Sequence, residues 1–358
     1  MKVLFIINDL NSGGIENYLL RFLKYYNKKL IPVVLCKSGN KGALENEYLK
    51  IEDIEIVPLR IGFLDFKGIS SFRNFMKNNN FDSVVDFTGN FAGLTMFISY
   101  RVGIKKRITF YRGATNHFKE NAIRLFYNFL VNKLVLRFST DILSNSKAAF
   151  NYFFKNNIDN RFEVIYNGID ADQFLNCKDD IREELGIPKD GFVVGHVGRL
   201  AREKNHETIW EVAKILCSQH KNIYFILCGK GVDDTYSEMI KELKLTDQII
   251  VLGYRRDVVK VLNSMNVFYF PSLSEGQPNA LIEALIAGLP FVASNIEPIK
   301  ETIPEEYQKS LVNPLDINNA VSKIEDIYIN GVQGDNLKKW AITKYNPEVL
   351  FLQFFKKL

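Results

Sequence analysis

The sequence predicts an α/β protein of two doubly wound domains in tandem, and three observations carry this prediction. Short apolar runs alternate with helical patterns along all 358 residues, as in βαβ units. The alternation restarts after a polar segment near residues 176–189, which contains Gly186 and Pro188. At roughly 100–200 residues per domain, the length suits two domains that each bury a core.

The first domain is predicted to span residues 1–176. Its strands are short runs rich in Val, Ile and Phe, the pattern of parallel strands buried on both faces. Amphipathic stretches at 16–26 and 70–78 predict helices between them. The predicted strands are Val3–Ile7, Pro32–Cys36, Glu55–Pro58, Ser83–Phe87, Lys106–Tyr111, Asp141–Ser144 and Phe162–Ile165.

The second domain is predicted to span residues 177–346 and to repeat this alternation. The tail, residues 347–358, is predicted to be a helix that packs either back across the joint onto the first domain or against the second. The predicted strands of the second domain are Phe192–Val197, Ile223–Cys228, Ile249–Leu252, Val267–Phe270 and Phe291–Ala293. Its predicted helices are 207–217, 234–243 and 278–287.

Targeting signals and cysteine usage favour a cytosolic chain. The apolar run at residues 1–7 is shorter than the core of a signal peptide, and a buried first strand explains it better. No run approaches the 18 apolar residues of a membrane span. The four cysteines are scattered, which favours reduced thiols in the core.

Charge is unevenly distributed along the chain. The net charge is +5, but residues 1–170 carry 24 Lys and Arg against 15 Asp and Glu, and residues 171–358 carry 22 against 26. Nine basic residues and a single acid, Glu120, lie between Arg101 and Arg137, interleaved with aromatic residues. This composition indicates a nucleic acid, an anionic membrane or a phosphate-bearing acceptor, or else a core helix with a charged edge. No nucleic-acid motif is present.

Three loops follow predicted strands and precede helices, where open parallel sheets bind ligands. In the first, Gly13 and Gly14 let the backbone approach an anion at a helix N-terminus, although a tight turn explains them equally well. In the second, Arg199 and Lys204 place two cations near a helix N-terminus, an arrangement that suits a diphosphate, although two ordinary surface cations are the alternative.

The third loop is the most specific. Pro278 suits a first helical turn, and Gly288 with Pro290 ends the helix. Glu275 and Glu283 then bracket the helix N-terminus, and a carboxylate matches the vicinal diol of a ribose. The alternative is that one Glu complements the helix dipole and the other is solvated.

Together these segments resemble glycosyltransferase family 4. The spacing Glu275-x7-Glu283 looks like the family's signature, and further segments fit in order along nearly the whole chain. The resemblance implies the GT-B fold of two Rossmann-like domains with a donor cleft between them. It implies retaining transfer of a sugar from a nucleotide diphosphate sugar. The further segments are Gly13–Glu16, Ser144–Ser146, Asn167–Asp170, Val197–Leu200 with Lys204, and Leu252–Asp257.

The resemblance also implies a role for each matching position. Arg199 and Lys204 would bind the diphosphate and stabilise the leaving nucleotide, and Glu283 would hold the ribose. The loop of Tyr254 and Arg255 would lie by the base. The phosphate would meet the backbone of Gly13 and Gly14 from the first domain. The hydroxyl groups of the donor sugar would be held by Glu275 with Gly276, Gln277, Pro278, Asn279 and Ala280.

One position departs from the family pattern, in which many members carry a His after the fifth strand of the first domain. Arg112 stands about there, and His117 follows five residues later. His117 is predicted to be catalytic, against an ordinary loop histidine, and Arg112 and Asn90 are predicted to bind the acceptor. The D-x-D of residues 170–172 is the metal motif of another glycosyltransferase fold, but its context does not favour a metal.

The expected function is therefore retaining transfer, without metal or cofactor, of a hexose or N-acetylhexosamine from a UDP-sugar to a lipid-linked saccharide. Such steps build capsule, exopolysaccharide or lipopolysaccharide. The chain is expected in the cytoplasm, in peripheral contact with the anionic inner face of the cell membrane, and not with nucleic acid. Two alternatives remain: a GT-B sugar-nucleotide epimerase, and a non-catalytic partner of an active transferase.

Overall fold

The structure, a computed structural model, describes residues 1–11, 13–62, 65–113, 122–155, 158–242, 247–331 and 335–358. It divides into two compact units. Unit 1 comprises residues 1–168 and 347–358, and unit 2 comprises residues 169–346. Each unit contains a parallel sheet with helices between successive strands, which confirms the predicted fold class of two doubly wound α/β domains.

Unit 1 is built on a seven-stranded parallel sheet in the order β3-β2-β1-β4-β5-β6-β7. The order reverses between β1 and β4, and such a switch point opens a crevice at the carboxyl ends of the strands. The strands are β1 (Lys2–Ile7), β2 (Ile31–Cys36), β3 (Glu55–Pro58), β4 (Ser83–Asp86), β5 (Lys106–Tyr111), β6 (Asp141–Ser144) and β7 (Phe162–Val164).

The helices of unit 1 cover both faces of this sheet. One face holds the core around Phe5, Tyr18 and Phe22, and the other holds the core around Phe72 and Met96. The helices are α1 (Gly14–Tyr25), α2 (Glu45–Tyr48), α3 (Phe66–Asn78), α4 (Gly93–Val102), α5 (Ala122–Phe138) and α6 (Lys147–Phe153).

Unit 2 has a six-stranded parallel sheet in the order β10-β9-β8-β11-β12-β13. The last strand, β13, has two residues and was not predicted, because so short a segment carries no periodicity. The strands are β8 (Phe192–Val197), β9 (Ile223–Cys228), β10 (Ile249–Leu252), β11 (Val267–Phe270), β12 (Phe291–Ser294) and β13 (Leu311–Val312).

The helices of unit 2 lie within residues 169–346. Among the described residues, none of the helices in either unit is long and apolar enough to cross a membrane. The helices are α7 (Asp172–Asn176), α8 (His206–Gln219), α9 (Val232–Glu242), α10 (Val258–Asn263), α11 (Asn279–Ala287), α12 (Glu297–Thr302), α13 (Ile317–Asn330) and α14 (Asp335–Lys344). The final helix is α15 (Pro347–Phe355), which belongs to unit 1.

Helix α15 packs its aromatic residues against α1. The ring of Phe354 is fully buried and lies 4.6 Å from that of Phe22, centroid to centroid. Phe351 lies 5.7 Å from Tyr18 in an edge-to-face arrangement, and Phe355 stacks on Tyr26 at 4.3 Å. Such aromatic pairs add to the free energy that burial alone supplies, so α15 closes one face of the unit 1 core.

The boundary between the units lies at Gly168, eight residues before the position expected from the sequence. The N–H of Ile169 donates to Tyr345 O at 2.9 Å, and Phe174 is buried, so helix α7 joins unit 2. The chain leaves unit 1 after Gly168 and returns to it at Pro347. A side chain on Gly168 would come within 2.7 Å of Pro347 Cα, so these two positions are adjacent. Local composition does not predict such long-range contacts.

We expect Phe354→Ala to destabilise unit 1 by about 3–5 kcal/mol, because it removes a fully buried ring from the α1–α15 cluster. The exposed Leu352 on the same helix provides the matched control, and Leu352→Ala should change stability by less than about 0.5 kcal/mol. Urea unfolding followed by circular dichroism measures both. Equal effects of the two substitutions would show that α15 does not seal this core.

Candidate active site

Lys204 and Glu275, which the sequence places on separate loops, form an ion pair in unit 2. Lys204 Nζ lies 2.6 Å from Glu275 Oε1, and the two side chains are only 18% and 9% exposed. The ammonium also lies 5.0 Å from the centre of the Phe270 ring, a cation–π contact. Either charge would be costly to leave unpaired at this depth, so the pair holds both side chains in place.

Hydrogen bonds to the backbone join the two loops that carry this pair. One loop follows β8 and the other follows β11, and these strands are neighbours in the sheet. The N–H of Leu273 donates to Glu203 O at 2.8 Å. Asn205 adopts a left-handed conformation with φ 56°, which Asn tolerates well, and its Nδ2 donates to Pro271 O at 3.1 Å. The loops therefore form one rigid platform.

The N-terminus of α11 lies directly after Glu275 in this platform. Pro278 is the N-cap residue rather than part of the first turn, and the helix begins at Asn279. The first turn contains no acidic residue, so the positive end of the helix dipole has no carboxylate of its own there. Glu283 lies one turn further on and is half-buried. The helix ends as predicted at Gly288, with φ 90°.

Other residues predicted for the donor are held differently. The Arg199 side chain is 63% exposed and pairs with Glu203 on its own loop. Arg255 binds two carboxylates, of Glu184 and Asp257, each at 2.7 Å, and these contacts raise its pKa. Its guanidinium thus orders the β10 loop. Tyr254, its neighbour, is 61% exposed.

Two buried histidines beneath the β8 loop were not predicted. His196 and His206 meet edge to face with ring centres 5.1 Å apart, and His196 Nδ1 lies 3.0 Å from Tyr269 O. Burial lowers the pKa of His196 well below its usual range and that of His206 to about 4. Both rings are therefore neutral at pH 7 beside Lys204. The contact between the two rings depends on tertiary packing, so the sequence does not predict it. The sequence does place His206 directly before a predicted helix.

The glycine loop of unit 1 comes directly before α1. Gly14 is the first residue of the helix and is exposed, and nothing lies within 4 Å of where its Cβ would be. Glu16 folds its carboxylate over Gly13, where a side chain would collide with it. Burial raises the pKa of Glu16 to about 7. His117, predicted as catalytic, lies outside the described residues.

A pocket of about 720 Å³ opens at the carboxyl ends of the unit 1 strands. Ligand pockets typically have volumes of about 300–1,000 Å³. Asn90 and Arg112, the residues predicted for the acceptor, both line it. The other lining residues are Ile7, Asn8, Ile15, Lys37, Ser38, Arg60, Ile61, Gly62, Phe87, Thr88, Gly89, Phe91, Leu94, Tyr111, Gly113, Tyr127 and Phe153.

Lys37, which was not predicted, is anchored in the wall of this pocket. Its ammonium donates to Phe91 O at 2.7 Å and to Thr88 Oγ1 at 3.2 Å. Asp86 lies 4.0 Å away and is fully buried, and it accepts the hydroxyl of Thr95 at 2.5 Å. Burial lowers the pKa of Lys37, and Asp86 partly offsets this effect.

Arg112 and Asn90 are held by different contacts. The guanidinium of Arg112 lies 3.9 Å above the ring of Tyr18, and burial lowers its pKa to about 10, so it remains charged at neutral pH. Neither Nε nor Nη1 of Arg112 has a hydrogen-bond partner among the described residues. Asn90 is buried and donates through Nδ2 to Asn128 on α5.

The D-x-D segment forms a local turn. The N–H of Asp172 donates to Asp170 Oδ1 at 3.0 Å. Within the described ranges of the chain, no group of three or more His, Cys, Asp or Glu side chains is arranged to hold a metal ion.

Comparison with known families identifies the class. Residues 12–173 match Glycosyltransferase Family 4, and residues 178–344 match the glycosyl transferases group 1. The chain therefore belongs to the family 4 type of glycosyltransferase, which confirms the resemblance seen in the sequence.

Individual relatives and solved structures agree with this class. An Escherichia coli UDP-Gal:α-D-GlcNAc-diphosphoundecaprenol α-1,3-galactosyltransferase is 30% identical over 52% of this chain and 51% of its own length. The Staphylococcus aureus capsular polysaccharide biosynthesis glycosyltransferase CapH is 26% identical over 92% of this chain and 99% of its own. The crystal structure of Anabaena HepE in complex with UDP shares the fold, with a TM-score of 0.78, 20% identity and 99% coverage of both chains.

The buried His206 predicts how unit 2 responds to acid. The pKa of a histidine in an unfolded chain is near 6.5, whereas that of the folded His206 is about 4. Between these values the unfolded chain binds a proton that the folded one does not, so stability falls as pH drops through this window. His206→Gln should therefore lose less melting temperature than wild type between pH 7 and 4.5. An equal loss in differential scanning calorimetry would contradict the assignment.

Proposed function

We propose that this chain is a retaining glycosyltransferase that moves a hexose or N-acetylhexosamine from a UDP-sugar to a lipid-linked saccharide in cell-surface polysaccharide synthesis. The Lys204–Glu275 pair beside the N-terminus of α11 carries the proposal, because it combines a cation, a carboxylate and a helix dipole. The E. coli relative, named for a UDP-sugar donor and a diphosphoundecaprenol acceptor, supports both substrate classes.

The diphosphate of the donor binds where positive charge converges. Lys204 supplies an ammonium, and the first turn of α11 supplies backbone N–H groups and the positive end of its dipole. Arg199, with its exposed guanidinium, exchanges Glu203 for a phosphate oxygen when the donor arrives. Glu283 holds the ribose diol, and the exposed ring of Tyr254 lies against the base.

The donor sugar occupies the space in front of the loop that precedes α11. Glu275 accepts hydrogen bonds from sugar hydroxyls, assisted by the backbone of residues 276–280. Its contact with Lys204 keeps the carboxylate oriented before the donor binds. The two loops are already joined by hydrogen bonds, so little entropy is lost in organising the site.

Transfer breaks the bond between the anomeric carbon and the phosphate oxygen and forms a bond from that carbon to an acceptor hydroxyl on the same face of the sugar. The bonding electrons leave with the UDP, whose growing negative charge is stabilised by Lys204, Arg199 and α11. The acceptor proton passes to the departing phosphate oxygen. Fixed protein cations thus supply the charge stabilisation that the step needs, which supports metal-independent catalysis.

The acceptor binds to unit 1. The 720 Å³ pocket with Asn90 and Arg112 in its walls supports transfer to an acceptor over epimerisation of the donor, because an epimerase needs no second substrate. His117, outside the described residues, remains a proposed catalytic residue.

Peripheral membrane contact at the cytoplasmic face brings the enzyme to its lipid-linked acceptor. Helix α5 exposes Phe126, Phe129 and Leu130, and its Lys133 and Arg137 are also exposed. Lys133 Nζ lies 4.3 Å from the centre of the Phe129 ring. Aromatic and aliphatic side chains bordered by cations favour the interface of an anionic membrane.

We expect Lys204→Ala and Glu275→Gln each to reduce the rate of sugar transfer by at least about 100-fold, because each removes a fixed charge from the site. Radiolabelled transfer from a UDP-sugar to lipid extract, with EDTA in the assay, measures the rate. Loss of wild-type activity in EDTA would contradict metal-independent transfer.

A second ion pair of unit 2 provides the matched control. Lys214 and Glu211 lie 2.8 Å apart on the exposed side of α8, so Lys214→Ala and Glu211→Gln should leave the rate within about twofold. Melting temperatures identify any variant that fails to fold, and Lys204→Arg retains the charge in that case. Near-normal transfer by folded Lys204→Ala and Glu275→Gln would overturn the site assignment.

A further inference from the structure

The pocket of unit 1 is elongated along the carboxyl edge of the sheet. Its polar lining residues come from the loops after β3, β2, β1, β4 and β5, which is also their order across the sheet. Neighbouring strands are about 4.8 Å apart, so β3 and β5 are separated by roughly 19 Å. Arg60 follows β3 and Arg112 follows β5. The pocket therefore has a cation at each end.

At the end near Arg60, the backbone brings two cationic residues, Arg60 and Lys37, together in a corner of the pocket. The N–H of Leu59 donates to Cys36 O at 3.1 Å, and the N–H of Ile61 donates to Lys37 O at 3.0 Å. These bonds hold Arg60 beside Lys37. Gly39 has φ 85°, and a side chain there would come within 3.1 Å of Arg60 Cβ, so this glycine permits the close approach.

The two cations of this corner are available to a ligand. The ammonium of Lys37 donates two of its three hydrogen bonds to Thr88 and Phe91. The third donor has no acceptor within hydrogen-bond distance among the described residues. Arg60 is exposed, and within the described part of the chain it has no ion-pair partner. Asp86 offsets one positive charge of the corner, so the corner keeps a net positive charge.

The end at Arg112 is different in character. Its guanidinium is stacked on Tyr18, with two of its nitrogens buried, so it cannot present an open fork to a multiply charged group. Between the two ends lie the exposed ring of Phe91, the half-buried ring of Tyr127 and the amide of Asn90. Aromatic faces combined with a few amide groups suit the apolar faces and hydroxyls of a sugar.

We infer that this pocket binds the acceptor lengthwise, with its diphosphate at the Lys37–Arg60 corner and its saccharide between Asn90 and Arg112. This inference rests on the proposed function. A lipid diphosphate carries negative charge at its linkage to the first sugar. Among the described residues that line this pocket, only Lys37 and Arg60 come from neighbouring loops and can offer two cations to oxygen atoms on neighbouring phosphates. The saccharide then extends toward the strand-order switch at β1 and β4, where the glycine loop before α1 also lies.

The lipid chain leaves the pocket on the side of α3. Phe66, the first residue of α3, is 80% exposed. It follows the β3 loop, and a side chain on Gly68 of its first turn would collide with Arg60 O. The apolar ring of Phe66 therefore lies near the corner that binds the diphosphate, where an isoprenoid tail can contact it.

Farnesyl diphosphate tests the inference as a probe that contains the diphosphate and a short isoprenoid but no sugar. Calorimetric titration into the full chain should show binding that Arg60→Ala weakens about tenfold or more. Arg73→Ala is the matched control, since Arg73 is an exposed residue of α3 outside the pocket, and it should bind as wild type does. Farnesyl monophosphate should bind more weakly than the diphosphate to wild type.

Competition and a second variant separate this inference from the proposed donor site. Saturating UDP should not displace the probe, and Lys204→Ala should lose UDP binding while it still binds farnesyl diphosphate. Absence of probe binding to wild type, equal binding by Arg60→Ala and wild type, or displacement by UDP would each overturn the inference. Retention of UDP binding by Lys204→Ala would instead overturn the proposed donor site.

Discussion

The ion pair between Lys204 and Glu275 is the interaction on which the rest of the site depends. It joins the loops after two neighbouring strands, and both groups are largely removed from water. A buried ion pair contributes little net stability, because desolvation offsets the attraction between the charges. Its value here lies in orientation: the ammonium and the carboxylate stay fixed beside the N-terminus of α11, and the neutral pair of His196 and His206 supports them without adding charge.

The sequence predicts the two loops but not how they meet. Glycines, prolines and charges at strand ends identify Lys204 and Glu275 separately, because turn and helix-start signals are local. Their contact depends on β8 lying beside β11, which only the sheet order establishes. The same limit explains why Lys37 and Arg60 were not predicted, since each is an ordinary loop cation until β2 and β3 bring them together. The end of unit 1 at Gly168 likewise depends on contacts with residues 345–347.

The positive charge of the first half is divided between structural and exposed positions. Arg107 donates to the main-chain oxygens of Phe138 and Ile104, and Lys106 pairs with Asp141 at 2.9 Å. These cations stabilise unit 1 and are occupied. Other cations of unit 1 are exposed, among them Lys133 and Arg137 on α5 and Arg60 at the carboxyl edge of the sheet. The charge surplus read from the sequence is therefore larger than the charge that the exposed cations present.

Hydrogen exchange of the full chain with and without saturating UDP tests the central claim most directly. The proposed donor site predicts that UDP slows the exchange of the backbone amides at 198–206 and 271–283. Amides elsewhere in unit 2, outside the loop of Tyr254, should change little. Protection that falls only on unit 1, or no protection at saturating UDP, would contradict the account.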